Sequence, residues 1–112
     1  MPKILIVIAL GMLWPALGRA DEATAARNFK AKCAACHGPD GKGKTKTGEK
    51  MKIGDLTSAE IRKELTAEKI KTTILDGIAR DKDGVKQEMK GLRGKIADDQ
   101  LDELVTYVRN LK

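Results

Sequence analysis

The chain has 112 residues, 34% of them Asp, Glu, Lys or Arg, and a formal net charge of +6. That length suits one small domain rather than two. No continuous arginine-rich tract marks a nucleic-acid binder, and beyond the first twenty residues no apolar stretch approaches the length that spans a bilayer.

The first twenty residues read as an export signal. Pro2 and Lys3 begin a short positive start, an apolar run follows from Ile4 through Trp14, and Gly18-Arg19-Ala20 offers small residues where a signal peptidase reads. Cleavage is expected between Ala20 and Asp21. A retained anchor is the weaker alternative, because the run falls short of the roughly 17–25 residues of a spanning helix and meets Pro15 at its end. The domain then occupies residues 21–112. Loss of Lys3 and Arg19 leaves a modest basic surplus, which can steer an acidic protein partner. Phe29 and Tyr107 are the only aromatics of this part. A core built from Leu, Ile, Val and Met alone is thin at this size, so a disulfide, a metal or a large cofactor is expected to add bulk.

Glu22 to Lys32 is alanine-rich and free of Gly and Pro, which predicts a helix with Ala26, Phe29 and Cys33 on one face. It leads into Cys33-Ala34-Ala35-Cys36-His37, the C-x-x-C-H pattern of covalent haem attachment. Each thiol adds across one vinyl group of the porphyrin. His37 follows directly and can bind the iron from one side, where axial-ligand identity controls potential. Both cysteines and the one histidine of the chain lie in these five positions. A thioredoxin-like dithiol expects a preceding strand, and the residues before Cys33 look helical. A zinc site normally takes four ligands, and three thiol or imidazole groups exist. A plain disulfide leaves His37 without a role.

Gly38-Pro39-Asp40-Gly41-Lys42-Gly43 predicts a turn that lets backbone approach the porphyrin or simply crosses the surface. Lys42, Lys44, Lys46, Lys50 and Lys52 then decorate a polar loop through Gly54, read as solvated surface with a docking patch as the second reading. Thr57 is expected to cap a short helix, with Glu60 completing a capping box and Leu56 and Ile61 a hydrophobic staple. Thr66 repeats the arrangement before a helix carrying Ile70, Ile74 and Leu75, which Gly77 ends. Residues 81–94 read as a polar, glycine-containing loop, and no strand of useful length is expected. After Ile96, with Ala97 or Asp98 as cap, Leu101, Leu104, Val105, Val108 and Leu111 recur at helical steps and predict the last helix.

Met89 is the one sulfur of the 81–94 loop. A thioether closes the iron's sixth position and raises the potential. Met51, between lysine-rich stretches, is the competing ligand or a residue packed at the haem edge. With neither bound, the open position favours a haem peroxidase or small-ligand sensor.

These features resemble the class I, small soluble monohaem cytochrome c family over nearly all of residues 21–112. The likeness rests on Phe29 four residues before Cys33, the Cys33–His37 motif, the Gly38–Gly43 turn, the Met89 loop and the last helix with Tyr107. It implies an all-α fold of three to five short helices around one covalent haem c (heme c), with first and last helices crossing beside it. It implies cofactor contacts from Cys33, Cys36, His37 and Met89, with His37 and Met89 on the iron. Two positions depart from the family pattern. Lys90 replaces the proline that commonly follows the distal methionine, and the loop after His37 lacks the proline whose carbonyl receives the histidine's second proton. A backbone carbonyl of Gly48 to Gly54 is expected instead, because a ligating histidine needs that partner. The function implied is a monomeric one-electron carrier, not an enzyme, in the periplasm. It would exchange electrons with redox-protein donors and acceptors, without nucleic acid and without stable membrane insertion after signal cleavage.

Overall fold

Phe29 and Tyr107 meet where the first and last helices cross, with ring centroids 5.3 Å apart and planes inclined by 47°. This is a computed structural model that describes residue 11 and residues 17–112, with side chains of the first helix described from residue 22. The apolar run of the expected signal segment lies outside the described residues. Helix α1 (Leu17–Lys32) runs without a break through the expected cleavage position. It buries Ala25 and Phe29 and sets Cys33 against the same core. The inward face is thus offset by one position from the expected Ala26, as four-residue steps from Phe29 require.

Two single turns follow, α2 (Ala34–His37) and α3 (Lys46–Lys50). Next come α4 (Ala59–Glu64) and α5 (Ala67–Asp76). Ser58, not Thr57, caps α4, accepting from the Ile61 amide. Thr57 is diverted because its amide and hydroxyl both donate to Asp55 Oδ1, at 2.8 and 2.6 Å. Thr66 caps α5 as expected, accepting from the Lys69 amide at 3.1 Å. Gly77 ends α5, and its φ of 72° suits a glycine C-cap.

The segment expected as loop holds an antiparallel hairpin, β1 (Ile78–Lys82) and β2 (Val85–Met89). Asp83 and Gly84 join the strands, both at positive φ, as a two-residue type I′ turn requires. The expectation of no useful strand fails here for a physical reason. The inward positions of β2 are Val85, Gln87 and Met89, and a buried glutamine hides the period-two apolar pattern. Helix α6 (Asp98–Arg109) closes the chain. Ala97 occupies its cap without a side-chain bond, while Asp98 and Asp99 place negative charge in the first turn. The fold remains mostly helical. Among the described residues it has six helical segments, two of them, α2 and α3, single turns.

The core gathers Phe29 from α1, Ile70 and Ile74 from α5, and Leu101, Leu104, Val105 and Val108 from α6, with Leu111 beyond. Leu56, Leu65, Leu75, Leu92, Ile96 and Tyr107 pack around it half-buried. Arg62 of α4 donates to the carbonyls of Arg109 and Leu111, satisfying backbone acceptors that the end of α6 leaves open. Among the described residues no helix is long and apolar enough to cross a membrane.

Candidate haem site

The attachment turn is fixed by its backbone. Cys33 N–H donates to Phe29 C=O at 2.8 Å, so α1 delivers the first cysteine directly. His37 N–H returns to Cys33 C=O at 2.9 Å, and Gly43 N–H closes onto His37 C=O at 2.7 Å. Thr45 Oγ1 donates to Cys36 C=O at 2.7 Å and accepts from Gly48 N–H at 2.8 Å. One hydroxyl therefore caps α3 and holds the second cysteine. Gly48 is required there, because a Cβ would overlap the Gly43 carbonyl oxygen and stand 2.8 Å from that of Cys36.

With the backbone engaged, the side chains of Cys33, Cys36 and His37 stand half-buried side by side in sequence. Both thiols are free. Burial pushes the Cys33 thiol up to about 11, against the opposing charge of Lys32. Dithiol exchange needs a lowered thiol, so the site is poorly made for it. Burial also lowers the His37 pKa, which favours the neutral imidazole that binds metal. His37 Nδ1 is buried without a partner. The carbonyl expected from Gly48 to Gly54 does not reach it. Gly48 C=O accepts from Ile53 N–H instead, and those of Met51 and Lys52 accept from Gln87. Among the described residues no cluster of three His, Cys, Asp or Glu side chains could hold a bare metal ion. Two free thiols followed by a neutral, otherwise unbonded imidazole fit a haem held by thioethers and one axial nitrogen.

Met89 stands on another element, half-buried at the end of β2. The base of the hairpin is laid on the end of α5. Leu92 N–H donates to Ile74 C=O at 2.8 Å and Arg93 N–H to Leu75 C=O at 3.1 Å. Gly77 and Gly91 permit the approach: a Cβ on Gly77 would overlap the Met89 carbonyl oxygen, and one on Gly91 the Leu75 carbonyl oxygen. Arg93 Nε and an outer nitrogen both reach Asp76 Oδ1, at 2.8 and 2.6 Å, on the exposed side. Met51, the competitor, is the residue after α3, half-buried, with its carbonyl taken by Gln87.

The structure thus brings Cys33, Cys36 and His37 together and puts Met89 and Met51 on segments joined through Gln87. Sequence reasoning missed Thr45 and Gln87. The spacing of Thr45 before Gly48 was a cap signal for the first. The alternation of Val85, Gln87 and Met89 behind Asp83-Gly84 was the signal for the second.

Comparison with known proteins identifies the family and the fold. The cytochrome c family profile matches residues 23–112. Among solved structures, the c-type cytochrome KustC0563 superposes with a TM-score of 0.63 at 25% identity, covering 79% of this chain and 96% of its own. A point mutant of that protein gives 0.63 at 26% identity, covering 80% and 99%. No curated protein matches the chain. The chain belongs to the cytochrome c family, as a small class I member. It is accordingly an electron carrier rather than an enzyme and carries a single covalently attached haem c. Nothing in these likenesses supports the peroxidase or sensor alternative.

Proposed function

We propose that Cys33 and Cys36 form the two thioethers, that His37 and Met89 are the axial ligands, and that the mature protein, residues 21–112, is a monomer shuttling electrons in the periplasm. The observation that carries this reading is the attachment turn, where the backbone groups of Cys33, Cys36 and His37 are bonded while the free thiols and an imidazole that burial favours neutral remain available. Bound there, the haem supplies a one-electron Fe(II)/Fe(III) couple. The chain's part is to hold and orient it. Phe29, Leu101 and Leu104 shut water out of the helix crossing, and α5 and the hairpin carry the thioether of Met89. Keeping both ligands in both oxidation states limits rearrangement on transfer. Lys44 and Lys46, both exposed, and the half-buried Lys42 flank the attachment turn, and their charge suits an acidic redox partner in a brief encounter.

One set of measurements on the exported, matured protein tests the reading. The mass should correspond to a chain beginning at Asp21 with haem attached. Visible spectra should show low-spin iron in both states, and the near-infrared should show the methionine-to-iron band. Met89→Ala should keep the haem, lose that band and lower the potential, while Met51→Ala should keep both band and potential. The reverse pattern would transfer ligation to Met51. A rate with the redox partner that rises with salt would remove the acidic docking surface.

A further inference from the structure

Gln87 is the one buried polar side chain among the described residues, 9% exposed. Its bonds span three segments. Nε2 donates to Met51 C=O at 2.8 Å and, more weakly, to Lys52 C=O at 3.4 Å. Oε1 accepts from Nε of Arg80, its cross-strand partner, at 2.8 Å. Nearby, Lys52 Nζ donates to Asp83 C=O at 2.9 Å, a second tie between the same two segments. A buried amide with its donor and acceptor both used is strongly orienting, since breaking either bond leaves a polar atom unsatisfied.

Residues two apart on a strand share a face. A bond made by Gln87 therefore sets the depth and rotation of the strand where Met89 follows. From the other side, the amides of Leu92 and Arg93 fix the chain to α5. Met89 is held between these two anchors. The Gln87 anchor ends on Met51 and Lys52, just after α3, and Thr45 and Gly48 join α3 to the carbonyl of Cys36. Through these bonds the two sides of the site are tied by protein alone. We propose that Gln87 is a positioning residue that keeps Met89 on the iron and sets how readily that ligand is released. The inference rests on the assignment of Met89 as the distal ligand.

The test is imidazole binding to the oxidised holoprotein, followed in the visible spectrum and by loss of the methionine band. Imidazole binds where Met89 has left, so its apparent affinity reports the released population. Gln87→Ala should raise that affinity about threefold to tenfold, the range expected from losing the 2.8 Å bond to the Met51 carbonyl, the stronger of its two ties to that segment. Gln87→Glu keeps the size and the acceptor for Arg80 but cannot donate to Met51 and Lys52. It should raise the affinity similarly, and it serves if the alanine variant does not mature. Arg62→Ala, which removes bonds to the end of α6, is the control: it should lower the urea midpoint and leave imidazole affinity unchanged. Imidazole affinity within twofold of the parent in the Gln87 variants, with a lowered urea midpoint as in Arg62→Ala, would overturn the proposal and leave a purely structural glutamine. Met89→Ala separates the two failures. If it keeps the methionine band, the distal assignment itself is wrong. If it loses the band while the Gln87 variants behave like the parent, the assignment stands and the positioning role falls.

Discussion

The crossing of α1 and α6 lends itself to a quantitative test through the ring pair Phe29–Tyr107. Phe29 is 1% exposed and Tyr107 packs half-buried against the same cluster. Truncating a buried phenylalanine to alanine costs about 3–5 kcal/mol. At 5.3 Å and a 47° tilt, the rings lie in the range where about 0.5–1.5 kcal/mol comes from the pair itself rather than from area buried. Phe29→Leu, Tyr107→Leu and the double variant preserve most of the burial and isolate that share. Urea unfolding of the holoprotein, followed by far-UV ellipticity, should give a coupling free energy of about 0.5–1.5 kcal/mol. Independent sites add to within about 0.3–0.5 kcal/mol. A coupling below that limit would refute the ring-pair argument and reduce the crossing to ordinary apolar burial. The result bears on the site because Phe29 also supplies the carbonyl that receives the Cys33 amide. A loosened crossing moves the start of the attachment turn.

Two further perturbations test other parts of the fold. Gly77→Ala forces a side chain onto a residue at φ 72° and into the Met89 carbonyl. It should cost about 1–3 kcal/mol from the backbone conformation alone, lower the urea midpoint and weaken the methionine band together. An unaltered band would show that the end of α5 does not position Met89. Asp55 accepts from the hydroxyl and amide of Thr57, and these bonds, with the nearby charges of Lys42 and Lys44, hold its carboxyl below the usual carboxylate range. A depressed folded-state pKa stabilises above the unfolded value and is lost as pH falls through the folded one. The stability gap between parent and Asp55→Ala should therefore be full near neutral pH and narrow as the medium becomes more acidic than an ordinary aspartate pKa. A gap that widens in acid would contradict the sign.

Legibility from the sequence followed the range of the interaction. The Thr66 cap, the Gly77 stop and the α6 stripe all depend on residues within a few positions of one another, and each stands in the structure where local rules put it. The cap of α4 slipped by one because Asp55, just upstream, competes for Thr57. The hairpin escaped because its stability depends on partners far along the chain. Gln87 reads as a surface residue until the carbonyls of Met51 and Lys52 are brought to it. The pairing of Leu92 and Arg93 with the end of α5 has no local sequence mark either. The proposed site divides the same way: Cys33, Cys36 and His37 form one local unit, whereas the surroundings of Met89 are assembled by tertiary contact.

That division has a chemical consequence. On the proposed attachment side, thioether bonds to Cys33 and Cys36 would keep the cofactor in place whatever the turn's own stability, and the backbone bonds would chiefly orient His37. The distal side has no covalent guarantee. With Met89 as the proposed distal ligand, its thioether–iron bond would be exchangeable, and its occupancy would depend on how firmly the protein holds the strand that bears Met89. Lys90 follows Met89 here, without the fixed φ of the proline that commonly stands after the distal methionine of the family it resembles. Distant restraints act on the same strand, from Gln87 to Met51 and Lys52 just after α3 and from Leu92 and Arg93 to α5. On the proposed ligation, residues 33–37 would hold the haem, while the hairpin and its two anchors, from Gln87 to the residues after α3 and from Leu92 and Arg93 to α5, would set how firmly Met89 stays on the iron and, through that ligand, the potential.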